Sequence, residues 1–340
     1  MLGESFFLLV SLILILAATE CFTNGVEALG RRFSLSQAVV GSILAAVGTA
    51  LPETILPIVA IFLFRGASAN DIGVGAILGA PFMLSTLAFF LVGLTAAISH
   101  LKKRRAFEIR VEAHSTKRDL LFFLPMYSLA VLIPAITGRT FALPIAVLLV
   151  AAYMLYAYRT FQGESSDIDH SEGMYLLRLL NKFGLTRDAT PHISIILLQV
   201  TSALSLMVAG ADIFVKNLGH VSVRFGMNPL LFALILAPIA TELPEKFNSV
   251  TWTWKGRDTL AVGNITGAMV FQSTFPVSIG LLFTNWKLTG MAIFSAVLAL
   301  ASALIVLGQL VLKQRLSPIT LLLAGGFYLV YVMALIVQHG

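Results

Sequence analysis

The sequence predicts an all-α membrane protein: ten transmembrane helices arranged as two inverted five-helix repeats. Three observations carry that expectation. The 340 residues are 58% hydrophobic and only 12% charged, with a mean hydropathy of +0.90, whereas a soluble domain carries about 25% charged residues. Apolar runs long enough to cross a bilayer as helix, about 20 residues, recur along the whole chain. A short motif, Leu-Pro-Glu preceded by a Thr four residues before its Glu, occurs once in each half, at 51–53 and at 243–245.

In chain order, the apolar runs place spans at 4–29, 37–64, 71–99, 119–137, 140–162, 190–217, 228–253, 258–284, 287–312 and 317–338. The first has no basic residues ahead of Phe6 and is long, so it reads as a spanning helix and not as a cleaved signal. The connections within 119–162 and 258–312 are so short that each pair forms an antiparallel hairpin. Of the 23 Lys and Arg residues, seventeen fall on one side by alternation, five on the other, and Lys246 lies inside a span. The positive-inside rule makes the richer side cytoplasmic. The chain is therefore expected in the cell membrane, multi-pass, with both termini extracytoplasmic. The net charge of +6 follows from this topology and needs no nucleic acid. The single cysteine, Cys21, excludes an intrachain disulfide and a cysteine metal cluster.

Two polar segments interrupt the spans. His100 to Asp119 is basic and serves as a topogenic anchor or binds anionic lipid. The stretch 163–189 divides a first repeat (1–162) from a second (190–340). It holds an acidic cluster, Glu164, Asp167, Asp169 and Glu172, without the spacing or glycine of a calcium-binding EF-hand loop. It then runs into Met174–Phe183, which reads as a short amphipathic helix on the membrane surface.

The halves superpose at the level of residues. An offset of 192 carries Glu20 onto Asp212, Arg32-Phe33 onto Arg224-Phe225, Thr49 onto Thr241 and Glu53 onto Glu245. Further on, an offset of 188 carries Gly75 and Gly79 onto Gly263 and Gly267, and Ser85-Thr86 onto Ser273-Thr274. Five spans per copy, an odd number, force the second copy to lie upside down. Inverted repeats are a recurring design of transporters, with the site at the repeat interface near the bilayer midplane.

The motif chemistry is that of a hard-cation site. A carboxylate in hydrocarbon costs a few kcal/mol, and both copies carry one at the same place, Glu53 and Glu245. A proline in a helix leaves the carbonyl four residues earlier without its donor; Pro52 thus frees the carbonyl of Gly48, and Pro244 that of Ala240. Together with the hydroxyls of Thr49 and Thr241, on the carboxylate faces of their helices, these form an all-oxygen cage suited to calcium. No Cys cluster or His lies within the motif, which disfavours zinc and copper. Asn264, Gln272, Ser273, Thr274 and Ser85 are polar donors beside the break, and Pro276 would free the carbonyl of Gln272. Glu242, one turn before Glu245, adds a ligand or accepts a proton. Lys246 pairs with a carboxylate or reaches towards water. Glu20 and Asp212 have a structural role or line an access path. Gly75/Gly79 and Gly263/Gly267 are small-residue faces for close helix packing.

These residues resemble the cation/calcium exchanger superfamily, the sodium/calcium exchangers and their prokaryotic relatives. That family carries Gly-Thr-Ser-Leu-Pro-Glu in each of two repeats; here the copies read Gly48-Thr-Ala-Leu-Pro-Glu53 and Ala240-Thr-Glu-Leu-Pro-Glu245. Its second motif, Gly-Asn-x-x-Gly-Ser-Asn-x-x-Asp/Asn, is similar to Gly75–Leu84 and Gly263–Gln272, although both Ser-Asn pairs are replaced, by Ala80-Pro81 and Ala268-Met269. The resemblance implies ten spans with external termini and a secondary antiporter that exchanges calcium against sodium or protons by alternating access at Glu53 and Glu245. It implies no cofactor, no enzyme activity, and no protein partner beyond the transported cations and surrounding lipid. The alternatives are a cation channel that uses the same glutamates as a filter and a diverged relative with altered ion selectivity. No nucleophile–base pair supports an enzyme.

Overall fold

The structure, a computed structural model, describes residues 2–33, 53–161, 173–184, 191–288 and 290–339. Gly48, Thr49 and most of the first Leu-Pro-Glu motif lie outside the described residues, as does the acidic cluster of the linker. Among the described residues every regular element is a helix, and eight helices are long and apolar enough to cross a membrane. The first helix, α1 (Leu2–Arg32), is followed by the shorter apolar α2 (Glu53–Leu63) and the long α3 (Ala69–Leu101). Next come α4 (Ala113–Thr137), α5 (Ala142–Phe161) and the eight-residue α6 (Tyr175–Lys182). The second half comprises α7 (Ile193–Arg224), α8 (Pro229–Thr241), α9 (Leu243–Trp254), α10 (Asp258–Gln272), α11 (Phe275–Phe283), α12 (Gly290–Lys313) and α13 (Pro318–His339).

Helices α1 and α7 lie against each other along their lengths. With 31 and 32 residues, they measure roughly 46 and 48 Å at 1.5 Å per residue. That exceeds a hydrocarbon core of about 30 Å, so both are tilted. Gly25 of α1 faces Val200, and Gly210 of α7 faces Ser11 and Ile15, so contacts later in one helix fall earlier in the other. The pair is antiparallel. Its apolar faces, with those of α2 and parts of α3 and α8, form one buried cluster around Phe22, Leu56, Ile72, Met207 and Leu218. A larger cluster, around Phe82, Phe89, Phe123, Tyr127, Val262 and Tyr331, joins α3, α4, α5, α8 and α10 to α13.

The two clusters meet where α3 packs on α8. A Cβ added to Gly75 would land on the carbonyl oxygen of Leu230, and one on Gly79 on that of Leu234. Only glycine lets the backbones approach this closely. The Leu234 carbonyl is the one Pro238 deprives of its donor, so Gly79 sits at a local weakness of α8. Here contacts advance together along both helices, so α3 and α8 run parallel. At Gly263 and Gly267 a Cβ meets nothing within 4 Å among the described residues, and stretch 34–52 lies outside them.

Four prolines shape the middle of the bundle. Pro81 lies inside α3, which stays helical but widens into a π-turn at Leu84–Ala88, a local form frequent at functional sites. The Ser85 hydroxyl donates to the Pro81 and Phe82 carbonyls (2.8 and 3.1 Å), and that of Thr86 to Phe82 (2.6 Å), covering the carbonyls that the distortion loosens. The Ser302 hydroxyl of α12 donates to the Ser85 carbonyl. In the second half the span expected at 228–253, with a break at its proline, is two helices, α8 and α9, parted at Glu242. Pro238 and Pro244 flank the break, and Pro244 lies in the first turn of α9, where its missing N–H is tolerated. The run at 258–284 is likewise interrupted at Ser273-Thr274, with Pro276 in the first turn of α11.

The segments between spans are built and not merely charged. The amphipathic helix expected at 174–183 is α6; Met174 and Leu177 pack on Ala28 of α1 and Ile196 of α7. Arg105, between α3 and α4, pairs with the buried Asp258 at the start of α10, its Nη1 donating to Oδ1 at 2.7 Å. The Arg110 amide donates to the same carboxylate at 2.9 Å. Ile109 bridges to Leu316 between α12 and α13, and Lys102 and Arg104 sit over the Trp254 ring. The connector therefore clasps two turns of the second half.

Candidate cation site

Glu53 opens the described part of α2, and Glu245 lies in the first turn of α9, just past the break. Both are buried, 6% and 4% exposed. Glu245 thus sits where a helix starts, and a helix N-terminus favours negative charge. Glu242, at the break itself, is fully buried; Thr241, next to it in sequence, and Gln272, at the end of α10, are buried as well. Glu53 lies within electrostatic reach of Glu245, Glu242 and Lys246, so the two halves bring their carboxylates into one neighbourhood.

That neighbourhood is short of partners. Among the described residues, Glu53 Oε1, Glu242 Oε1, Glu245 Oε2 and Gln272 Nε2 are buried side-chain atoms with no hydrogen-bond partner. Buried polar groups are ordinarily satisfied, and the cost of leaving one bare rises in a low-dielectric interior. Three open carboxylate oxygens contributed by both halves fit a hard cation and oxygen coordination. No group of three His, Cys, Asp or Glu side chains closes around a single point among the described residues; a complete shell therefore draws on carbonyl, hydroxyl or amide oxygens as well.

The remaining expected ligands fall into four sets. Gly48 and Thr49 lie outside the described residues. Ala240 is the penultimate residue of α8, whose last hydroxyl, on Thr241, donates back to the Ala237 carbonyl at 3.2 Å. Asn264 spans α10 and α9: its Nδ2 donates to the Glu245 carbonyl and the Ser249 hydroxyl, both at 3.2 Å. It holds the break from behind and leaves its oxygen as an acceptor. Ser273 and Ser85 spend their protons on carbonyls of their own helices, so only their lone pairs are left to offer.

Of the other acidic residues, Glu20 accepts a hydrogen bond from the Tyr175 hydroxyl of α6 at 2.8 Å, and Asp212 forms an i,i+4 pair with Lys216 at 2.5 Å, partly exposed. Both are engaged at surfaces. Lys246 is paired: its Nζ stands 2.6 Å from Glu242 Oε2. Sequence reasoning missed Asp119, a buried carboxylate that ties three helices together by accepting from Tyr156 of α5 and Thr266 of α10, both at 2.7 Å. Its place at the junction of a charged connector and an apolar run was the available signal.

A family pattern described as sodium/calcium exchanger protein matches residues 4–162 and 195–339. The chain is 25% identical to "Putative antiporter CaxA" of Alkalimonas amylolytica over 97% of its length and 99% of that protein. It is 23% identical to "Inner membrane protein YrbG" of Escherichia coli K12, over 96% and 95%. Its fold is that of two solved exchangers: the H+/Ca2+ exchanger CAX, with a TM-score of 0.70 at 18% identity over 98% of this chain and 82% of that one, and the sodium-calcium exchanger NCX_Mj, with 0.58 at 20% over 97% of each. The family pattern thus spans both halves and brackets the linker. The chain belongs to the sodium/calcium exchanger family: it is a multi-pass membrane antiporter of cations and not an enzyme.

Proposed function

We propose that this antiporter exchanges calcium against sodium or protons by alternating access at a midplane site shared by Glu53 and Glu245. One observation carries the reading: carboxylate oxygens from both halves are buried in one neighbourhood without hydrogen-bond partners among the described residues. Two bare carboxylates in low dielectric repel each other and are poorly solvated, so the empty carrier is penalised. One divalent cation or a set of monovalent ones relieves the penalty, but both sets cannot share the same oxygens. Competition then becomes exchange. Oxygen donors, the Thr, Asn and Gln side chains beside the glutamates and the broken helices all favour calcium as the divalent ion. The similar solved folds are named for both sodium and proton coupling.

The architecture behind this reading is ten spans in two inverted five-helix repeats, 1–162 and 190–340, joined by 163–189, in the cell membrane with both termini outside. The eight long helices are joined by two shorter apolar ones at Glu53–Leu63 and Pro229–Ile239, which take the places of spans two and seven. Inversion requires spans one and six to be antiparallel and spans three and seven parallel, as the packing of α1 on α7 and of α3 on α8 supports. Movement of the α1–α7 pair over the rest would switch the site's exposure.

Calcium-45 uptake into proteoliposomes, driven by an opposing sodium or proton gradient, tests this. Uptake is expected in the wild type, is lost in E53Q and in E245Q, and persists in D212N, whose carboxylate is engaged elsewhere. Normal uptake by either glutamate variant defeats the reading, and steady single-channel currents in place of saturable counter-transport would replace it with a channel.

A further inference from the structure

One cation already stands among the carboxylates at the helix break. Lys246 Nζ lies 2.6 Å from Glu242 Oε2 and 3.5 Å from the Pro238 carbonyl, and the pair is sealed, with the two side chains 5% and 0% exposed. It spans the break from the end of α8 to the first turn of α9. The repeat offset of 192 sets Ala50 and Thr54 at the equivalent positions of the first half. The two charges therefore enter together, and in one copy alone. A buried ion pair that only holds structure satisfies its remaining lone pairs with further donors. Among the described residues this one does not: the second oxygen of Glu242 is unpartnered there, as are one oxygen each of Glu245 and Glu53, and both of those carboxylates lie within reach of its charges.

We propose that Lys246 is a resident cation of the exchange site, whose ammonium holds the place of one transported monovalent ion and so sets the coupling ratio. Three carboxylates against one ammonium leave two negative charges. One divalent cation neutralises them, and so do two monovalent cations. Exchange is then two for one and moves no net charge. Without the ammonium the site carries three negative charges, takes up a third monovalent ion, and moves one charge per cycle. Without Glu242 it carries one, and the charge moves the other way.

The inference rests on the exchange reading, and the assay separates the two. Proteoliposomes holding the full chain accumulate calcium-45 under a sodium gradient and, separately, a proton gradient, with membrane potential set by potassium and valinomycin. Wild type and Lys246→Arg are expected to reach a potential-independent accumulation. Lys246→Met shifts its equilibrium accumulation about tenfold for every 59 mV, the value for one charge. Lys246→Gln, which keeps a donor for Glu242, gives the same readout should the methionine variant fail to assemble. Glu242→Gln responds with opposite sign, and Glu242→Gln/Lys246→Met returns to insensitivity. A lysine variant that moves the same charge per cycle as wild type overturns the role of Lys246, since a purely structural lysine changes amount and rate but not coupling. No gradient-driven uptake by the wild type overturns the exchange reading instead.

Discussion

The two halves carry one pattern and realise it differently. In the first, α3 runs through the Ser85-Thr86 position as a π-turn; in the second, the equivalent Ser273-Thr274 ends one helix and starts another. The difference lies in where each copy keeps its proline. Pro81 precedes its Ser-Thr pair within the helix, so the chain widens and lets hydroxyls cover the loose carbonyls. Pro276 follows its pair, in the first helical turn, where proline favours a new start over a continuation. The same asymmetry holds for charge. Ala50, Thr54 and Asn70 stand in the first half where the second has Glu242, Lys246 and Asp258, so neither the Glu242–Lys246 pair nor the carboxylate that Arg105 of the first half grips has a counterpart in the other copy. Shared ancestry sets where the backbone weakens. Local residues decide whether it bends or parts.

The glycines offer the strongest way to break this comparison. Gly79→Val drives a side chain into the Leu234 carbonyl, a backbone atom that cannot step aside. Overpacking costs about 1–3 kcal/mol or more, and here it parts the two apolar clusters, so little monodisperse protein should be recovered on size exclusion. By the repeat, Gly267→Val is expected to do comparable damage in the same assay; folded protein there would mean that the halves pack differently.

The connector clasp comes next. Arg105→Ala strands the buried Asp258 carboxylate, and breaking a buried pair costs about 3–5 kcal/mol. Removing both partners, as Arg105→Met/Asp258→Leu, should recover much of that, and thermal unfolding of the detergent-purified variants reads the difference. The exposed Asp212–Lys216 pair, by contrast, should be worth no more than about 1 kcal/mol. Pro276→Ala allows α10 and α11 to join; a drop in uptake with unchanged melting temperature would show that the interruption serves transport.

The smallest effect is expected at Glu108, on the connector. A hydrogen bond from Arg110 and the charges of Arg110 and Arg315 hold its carboxyl below the usual glutamate range. A depressed carboxyl stabilises the fold above its unfolded-state value and loses that contribution as pH falls through its folded one. The melting temperature of Glu108→Gln should therefore differ slightly from wild type near neutrality and converge with it in acid.

Much of this was legible in the sequence because hydrocarbon imposes strict rules. Span positions, the amphipathic α6 and the motif pair follow from apolar run length, helical periodicity and the cost of a carboxylate in lipid. What stayed open depended on groups distant in sequence. Nothing local pairs Arg105 with Asp258 or Asp119 with Thr266. Whether Lys246 turned to Glu242 or to water depended on how the chain parts at Glu242, and proline alone marks a weakness without saying whether it opens. The spacing of Gly75 and Gly79 says that a helix can come close but not that α8 is the one that does.

Helix α6 has a use of its own. The backbone amides of Tyr175 and Leu176 end on the side chains of Asn24 in α1 and Gln199 in α7, each at 2.8 or 2.9 Å, and Gln199 donates to Asn24 at 3.0 Å. The small helix is thereby fastened to both members of the tilted pair at one end of the bundle. A fluorophore on the exposed Lys182 would ride with them as a pointer on a dial, reporting every stroke of the cycle from a position that leaves the ion pathway untouched.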